Sequence, residues 1–215
     1  MKGVSFLGYH SEKDLNLLLT GKEIGAPEVK RQTIDIAGSD GELDFTDFFG
    51  EAHFANVQHQ FTFESIRPRN EQLSQFTDIK NKIHGKKGRI ILDDDPSFFY
   101  VGRCNVSKYT NEKNIGKITV TCDCEPYKYK MTETIVTKAV DGVEEVTLTN
   151  ARKRAVPFVT VQTSTSMSVV YNTDNVWNLA SGSYMLPELE LVEGDNVVTV
   201  IGTGTISFTW REAVL

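Results

Sequence analysis

Residues 205–210 read Thr-Ile-Ser-Phe-Thr-Trp, and this stretch decides the class of fold. Ile206, Phe208 and Trp210 alternate with hydroxyl-bearing residues, so an extended chain places the three large apolar side chains on one face. The opposite face is polar, as expected of a sheet that packs on a core with one side and meets water with the other. The stretch therefore predicts a half-buried β-strand.

Strands of this kind are predicted throughout the second half of the chain. The segments alternate with turn residues and show almost no helical periodicity. Asp141-Gly142 is a typical turn sequence and is expected to reverse the chain. Several short strands at this spacing predict a β-sandwich of the jelly-roll type. The predicted strands span residues 158–162, 167–171, 184–192, 196–201 and 205–210.

The first half also follows a period of two. Val57, His59, Phe61 and Phe63 fall on one face of a strand. Strands at 89–92 and 98–106 are joined by an acidic turn, residues 93–96, in which proline stops the ladder. A further hairpin is expected around residues 38–41, where glycine and aspartate tolerate turn conformations.

One segment, residues 70–84, has helical periodicity instead. Leu73, Phe76, Ile79 and Ile83 recur every three or four positions and form one apolar stripe. Asn70 is placed to cap the start of this helix, and Gly85 is placed to end it. A lone amphipathic helix must bury its stripe to be stable, so it is expected to cover the sheet of the first domain.

The amino-acid composition changes after Pro126-Tyr127, where the segments become rich in threonine and valine. We therefore predict an N-terminal domain over residues 1–130, with a β-sandwich-like sheet and the helix. Residues 131–155 are expected to form a connecting segment and first strand, and residues 156–215 the remainder of a C-terminal β-sandwich. The fold class is mainly β.

Composition excludes several classes of protein. The chain has 215 residues and a net charge of −6, whereas tight nucleic-acid binding needs a concentrated basic surface. No apolar run approaches the roughly 20 residues that span a bilayer, so no membrane contact is expected. The three cysteines are odd in number and clustered, which predicts free thiols in a protein made in a reducing cytoplasm.

No catalytic, metal or cofactor site is predicted. Cys122 and Cys124 continue the alternation of the preceding strand and are expected to be small core residues, not zinc ligands. The acidic turn at 93–95 and the loop at 38–44 lack the ligand spacing of a calcium site and are expected to be solvated turns. The four histidines show no metal-binding or triad pattern. The chain is therefore not expected to be an enzyme.

Two surface features carry hypotheses about binding. The basic runs at 85–89 and 152–154 are interpreted as solvated edges or as salt bridges between protomers. Tyr171, Trp177, Tyr184 and Trp210 could form a platform for sugar rings, with Trp177 in a polar, loop-like context and Trp210 better suited to the core. Trp177 and Tyr184 are therefore candidate partner or sugar contacts.

The order and spacing of many short motifs resemble the distal tail protein (Dit) family of long-tailed phages that infect Gram-positive bacteria. The resemblance covers nearly the whole chain. In the first half it includes Gly3-Val4-Ser5-Phe6, residues 27–41, Phe54-Ala55-Asn56, the helix ending at Gly85, Asp94-Asp95-Pro96 and Cys124-Glu125-Pro126-Tyr127. In the second half it includes Gly182-Ser183-Tyr184, Gly194-Asp195-Asn196, residues 202–205 and Trp210-Arg211-Glu212.

The resemblance implies a structural protein of the virion, from a phage or a prophage. It implies an N-terminal domain that forms a ring, commonly a homo-hexamer, and a C-terminal galectin-like β-sandwich. The ring would join the major tail tube protein to the tail-associated hub or tail tip protein of the baseplate, and DNA would pass through its channel. No cofactor is implied.

The polar segment around Asn111 and Asn114 is a candidate protruding hairpin for contacts within such a ring. Two other functions stay open. The first is a carbohydrate-binding tail protein that recognises the receptor, with Trp177 and nearby tyrosines exposed. The second is a tail tube protein, although the sandwich after residue 128 is more than a tube subunit needs.

Overall fold

The computed structural model describes residues 3–48, 50–112, 115–172 and 175–215. The chain is mainly β, as predicted, and divides into two compact units. Unit 1 comprises Met1–Lys128 together with Leu215, and unit 2 comprises Tyr129–Val214. No helix within these described ranges is long and apolar enough to cross a membrane.

Unit 1 is built on one antiparallel sheet with the strand order β2-β1-β7-β8-β9-β6-β3. Its inward residues form one hydrophobic core that includes Phe6, Phe61 and Phe63. Phe6 meets each of the other two rings edge to face, at 5.5 and 6.0 Å between centroids. The strands are β1 (Val4–Phe6), β2 (Tyr9–His10), β3 (Leu17–Ile24), β4 (Thr33–Asp35), β5 (Glu42–Asp44), β6 (Val57–Ser65), β7 (Lys87–Leu92), β8 (Phe98–Glu112) and β9 (Ile115–Lys130).

The helix α1 (Gln72–Ile83) follows a short 3-10 turn at Arg69–Glu71. Ile79 and Ile83 enter the core of the sheet, which confirms the predicted cover, and Gly85 follows with a φ of +74°. The predicted stripe is wrong at its first turn, because Leu73 is 63% exposed while Gln72 and Gln75 are buried. The predicted cap is also wrong, since the helix begins after Glu71 without a side-chain cap.

The two buried glutamines replace the expected apolar contacts with hydrogen bonds. Gln75 Nε2 donates to the carbonyl oxygens of Leu15 and Asn16, and its Oε1 accepts from Ser65 Oγ. Gln72 Nε2 donates to the carbonyl oxygen of Arg67. Because each buried amide finds partners, the helix can dock through polar side chains without the cost of unpaired groups.

Unit 2 is organised around one long ribbon, in which β10 (Thr134–Asn150) pairs with β15 (Gly194–Trp210) over its whole length. The opposite edge of β15 pairs first with β12 through Val198–Ile201 and then with β11 through Thr205–Thr209. The inward residues of both halves belong to one hydrophobic cluster, so the halves pack as a β-sandwich. The other strands of the sandwich are β11 (Phe158–Gln162), β12 (Met167–Tyr171), β13 (Asn175–Leu179) and β14 (Gly182–Met185). The short strand β16 (Ala213–Val214) follows β15 and does not belong to its sheet.

The strands predicted at residues 196–201 and 205–210 are one continuous strand, β15, because glycines between them let the chain bend without ending the strand. Gly202 and Gly204 have φ values of 140° and 153°, which side-chain-bearing residues rarely adopt, and they carry β15 from one half of the sandwich to the other. Gly142 lies opposite Gly202, with a φ of 93°. The turn predicted at Asp141-Gly142 is therefore a bend within β10, and the chain does not reverse there.

The strand predicted over residues 184–192 is also wrong, because β14 ends at Met185. Leu186, Leu189 and Leu191 are all buried, and spacings of three and two do not suit the alternation of a single strand. Asn196 holds this irregular segment. Its Oδ1 accepts from Val192 N–H and its Nδ2 donates to the carbonyl oxygen of Val192, both at 2.9 Å.

The two ends of unit 2 are joined to each other. The backbone N–H of Lys130 donates to the carbonyl oxygen of Glu212 at 3.0 Å, and Lys130 Nζ lies 2.7 Å from Glu212 Oε1. The Arg211 guanidinium donates to the carbonyl oxygens of Lys130 and Met131. The chain thus enters and leaves this unit at one place.

Candidate functional site

Several exposed apolar side chains of unit 1 lie on or next to the hairpin of β4 and β5. We name residues 29–48 the arm. Its two strands form a separate two-stranded sheet in which every residue is exposed, and the predicted hairpin is confirmed. Ile34 pairs with Leu43, and these side chains are 56% and 48% exposed, while Phe48 is 71% exposed. A two-stranded hairpin is at best marginally stable in water, so this surface is suited to packing against another protein.

The arm also has an excess of negative charge, with Lys30 and Arg31 at its start and only acidic charges after them. Residues 32–48 include five carboxylates and no lysine or arginine. Helix α1, by contrast, presents Lys80 and Lys82, whose ammonium groups lie over the rings of Phe76 and Tyr9. No ion pair of either lysine with a carboxylate occurs within the described ranges. Unit 1 therefore carries an acidic, apolar projection and a basic, aromatic surface.

Asn111, predicted as a contact in a protruding hairpin, lies near the tip between β8 and β9. Its Nδ2 donates to Gln72 Oε1 at 2.9 Å, and the hydroxyl of Tyr109 shares the same acceptor at 3.3 Å. The exposed Asn111 thus ties the hairpin to the first turn of α1. Asn114 lies outside the described residues.

Trp177 lies in β13, not in a loop, which corrects the context expected for it. It stands opposite Val169, which is fully buried, and directly opposed residues share a face of the sheet. Tyr184 lies in β14 and stands opposite the buried Val159 of β11. Its hydroxyl donates to the carbonyl oxygen of Ala180. Both candidate side chains therefore pack partly buried against the core of unit 2. Tyr171 and Trp210 are core residues, at 7% and 4% exposure.

The acidic turn is more than a solvated loop. Asp93 accepts hydrogen bonds from Gly3 N–H at 2.7 Å and from His10 Nε2 at 3.1 Å. Asp94 pairs with Lys22, and Asp95 lies 2.7 Å from Lys128 Nζ. Burial alone would raise the pKa of Asp93, but its hydrogen bonds outweigh this effect and the pKa is lowered. The turn is thereby linked to β2 through His10, to β3 through Lys22 and to β9 through Lys128.

The basic runs also have partners within the chain. Lys87 pairs with Glu125, Arg152 with Glu193 and Arg154 with Glu190. Each pair includes at least one side chain that is about half exposed, so each contributes little to stability. Three cations of the basic runs therefore have carboxylate partners within the chain.

The cysteines are free and buried, as predicted. Cys104, Cys122 and Cys124 are 0% exposed and belong to the core of unit 1. No group of three or more histidine, cysteine or acidic side chains among the described residues could hold a metal ion.

Comparison with known proteins identifies the fold. No protein-family model matches the chain, and no curated protein sequence matches it. The structure is similar to the crystal structure of SPP1 Dit (gp 19.1), a paradigm of the hub adsorption apparatus in phages that infect Gram-positive bacteria. The two share 13% sequence identity with a TM-score of 0.76, and the match covers 100% of both chains. The resemblance to distal tail proteins is thus confirmed in three dimensions, and this chain has the fold of SPP1 Dit.

Proposed function

We propose that this protein is a structural component of a phage tail, a hub at which the adsorption apparatus is attached. The observation that carries the proposal is the match of both units, in one chain, to a hub protein over its full length. A match of one β-sandwich would have little weight, because that architecture serves many unrelated functions. The combination of two different β units in the same order is far more specific.

The arm supports assembly into a ring. In a closed ring each protomer contributes two different patches, one for each neighbour. The acidic, apolar arm and the lysine-bearing face of α1 are two patches of complementary charge on unit 1. In this proposal, six copies form the ring between the tail tube protein and the tail tip protein of the virion.

The net charge suits a channel for DNA. With a charge of −6 per chain, a ring repels the phosphate backbone and lets DNA slide where a basic lumen would hold it. The structure favours this role over receptor recognition through a sugar platform, because Trp177 and Tyr184 pack on the core face of their strands. A structural role requires no catalytic group.

Light scattering of the purified protein over a concentration series, with negative-stain images of the same fractions, tests the proposal. Six copies of a 24.1 kDa chain give a mass of about 145 kDa and annular particles. The double variant Ile34→Lys with Leu43→Lys should reduce the mass, whereas Met185→Lys, at an equally exposed apolar position of unit 2, should leave it unchanged. A monomer at every concentration, with no annular particles, would contradict self-assembly into a ring.

A further inference from the structure

The arm forms a small cavity of its own, with a volume of about 360 Å³. Its walls within the described residues belong to the arm alone, and the apolar ones are Ile34, Phe45 and Phe48. The rings of Phe45 and Phe48 meet edge to face, at 6.1 Å between centroids. This volume lies at the lower end of the range for ligand pockets, roughly 300–1,000 Å³, so the cavity has room for one compact apolar group.

The hairpin of the arm has two different faces. Ile34 stands opposite Leu43 on one face, and Asp35 stands opposite Glu42 on the other. Successive side chains of a strand point to opposite sides, so one face is apolar and the other carries carboxylates. All four side chains are exposed in the single chain. The apolar face is therefore left for another molecule to cover.

Helix α1 presents a surface of the opposite kind. Leu73, Thr77 and Lys80 recur at spacings of four and three, so they lie on one side of the helix. Outside the arm, Leu73 is the most exposed large apolar side chain among the described residues of unit 1, at 63%. The ammonium group of Lys80 lies over the ring of Phe76, at 4.8 Å from its centroid. An exposed leucine is thus followed by a cation two turns along the helix.

The charges of these two regions are complementary. Residues 32–48 carry five carboxylates and no lysine or arginine, a net charge of −5. Residues 66–89, which contain α1 and its flanks, carry seven lysines and arginines against two acidic residues, a net charge of +5. Two arms repel each other, whereas an arm and a helix attract. A second copy of this chain therefore offers the arm a partner surface of fitting charge, and a contact between two different patches is the kind that closes a ring.

We propose that the arm of one protomer docks on helix α1 of a second copy, and that the cavity of the arm receives Leu73 of that copy. The inference rests on the proposed function, since it names the contact that joins neighbouring protomers of the ring. Insertion of the leucine removes its side chain and the apolar walls from water. Lys80 then lies about 10 Å from Leu73 along the helix axis, within the length of the hairpin, and is attracted to its carboxylates.

Crosslinking between two cysteine variants tests this contact. Leu43→Cys places a thiol on the apolar face of the arm, and Thr77→Cys places one on α1, a turn beyond Leu73. The native cysteines are buried, so the introduced thiols are the reactive ones. The two chains are co-expressed with different tags, treated with a short bismaleimide and separated on a denaturing gel. We expect a product that carries both tags, at twice the 24.1 kDa of one chain, and little product from either variant alone, because identical positions do not meet in a contact between different patches.

A substitution at Leu73 tests the cavity. Leu73→Lys in the Thr77→Cys chain should lower the yield of the product with both tags by about tenfold or more, because it places an ammonium group against apolar walls. Leu18→Lys is the matched control, at another exposed leucine of unit 1, and should leave the yield unchanged. Equal yields for these two variants would overturn the proposal.

A failure of this contact is distinct from a failure of the proposed function. If the wild-type protein forms annular particles and the product with both tags is absent, the ring stands and the contact of arm and helix is overturned. If the wild-type protein stays monomeric but the product forms at high concentration and depends on Leu73, the contact is supported and closure of the ring is not. A dominant product from the Leu43→Cys chain alone would show that arms meet each other, and would also overturn the proposal.

Discussion

The sulfur atoms of Cys104 and Cys122 lie 3.4 Å apart on the adjacent strands β8 and β9, and the Cys122 thiol donates to Cys104. This hydrogen bond, together with burial, raises the pKa of Cys122. Burial raises the pKa of Cys124 to about 12. Since the thiolate is the reactive form, both groups are held in their inert state.

We therefore predict that the native protein does not react with Ellman's reagent at pH 8, and that all three thiols titrate in urea. The absorbance of the released thionitrobenzoate gives the number of reacted groups. Rapid reaction of even one thiol in the native state would contradict the buried arrangement, because all three cysteines are fully covered. Since these residues lie in unit 1, their exposure also reports the unfolding of that unit alone.

A second prediction concerns the pH dependence of unit 1. The folded pKa of His59 is lowered, so the unfolded state takes up a proton before the folded state does as the pH falls below 6.5. The groups that face it, Cys122 and Tyr100, both have raised pKa values and stay neutral. Stability should therefore fall as the pH decreases, by at most about 1 kcal/mol between pH 6.5 and 5.5.

His59→Phe should flatten this slope, and His53→Gln, at an exposed histidine, should leave it unchanged. Thiol exposure in urea, followed with 4,4′-dithiodipyridine because this reagent reacts with thiols in mildly acidic solution, measures the effect in unit 1 at each pH. An equal slope in wild type and His59→Phe would show that another group carries the dependence.

A third prediction follows from the bend in the ribbon of unit 2. A Cβ on Gly204 would overlap the carbonyl oxygen of Gln162, and the residue also has a φ of 153°. Gly204→Ala should therefore destabilise unit 2 by about 3 kcal/mol. Gly194→Ala is the control, because Gly194 lies on the same strand with a φ of 92° but has open space around it. This variant has the backbone strain without the overlap and should cost about 1 kcal/mol. Fluorescence in urea reports unit 2, since both tryptophans lie there. Equal losses for the two variants would contradict the overlap.

A fourth prediction distinguishes a packing role of Trp177 from a sugar-binding role. Because Trp177 is partly buried against the core, Trp177→Ala should lower the stability of unit 2 by about 2 kcal/mol, as followed by the fluorescence of Trp210. Met185→Ala, at a side chain that is 65% exposed, should change it by less than about 0.5 kcal/mol. A Trp177→Ala protein of unchanged stability that had lost binding to a glycan array would favour the sugar-binding function instead.

The sequence predicts the period-two elements of the fold well. Strands β11 and β12 begin and end where the alternation indicates, and the burial of Cys122 and Cys124 follows from the same pattern. Each of these segments is short and makes one kind of contact, so local pattern and tertiary environment agree. The mainly β class could be inferred for the same reason.

The errors occur where tertiary contacts override local pattern. The buried positions Gln72 and Gln75 look like surface residues in the sequence, because their burial depends on particular backbone carbonyl groups. Gln72 bonds to the carbonyl oxygen of Arg67, just before the helix, and Gln75 to that of Leu15, far along the chain. Gly142, Gly202 and Gly204 read as turn residues, yet they bend a ribbon that continues. The polar residues on either side of Trp177 suggest a loop, so the pattern does not predict the strand β13. His59 lacks a side-chain hydrogen-bond partner among the described residues, and this has no signal in the sequence, since it depends on which groups surround the ring in space.

The contacts between Lys130 and Glu212 hold the two ends of unit 2 together, so this unit forms a self-contained block of the chain. A domain whose two ends meet can be exchanged as a block, because the replacement needs only to present its own ends at hydrogen-bonding distance. An exchange of this block would alter what lies beyond residue 129 while the sheet of unit 1 keeps its strand order.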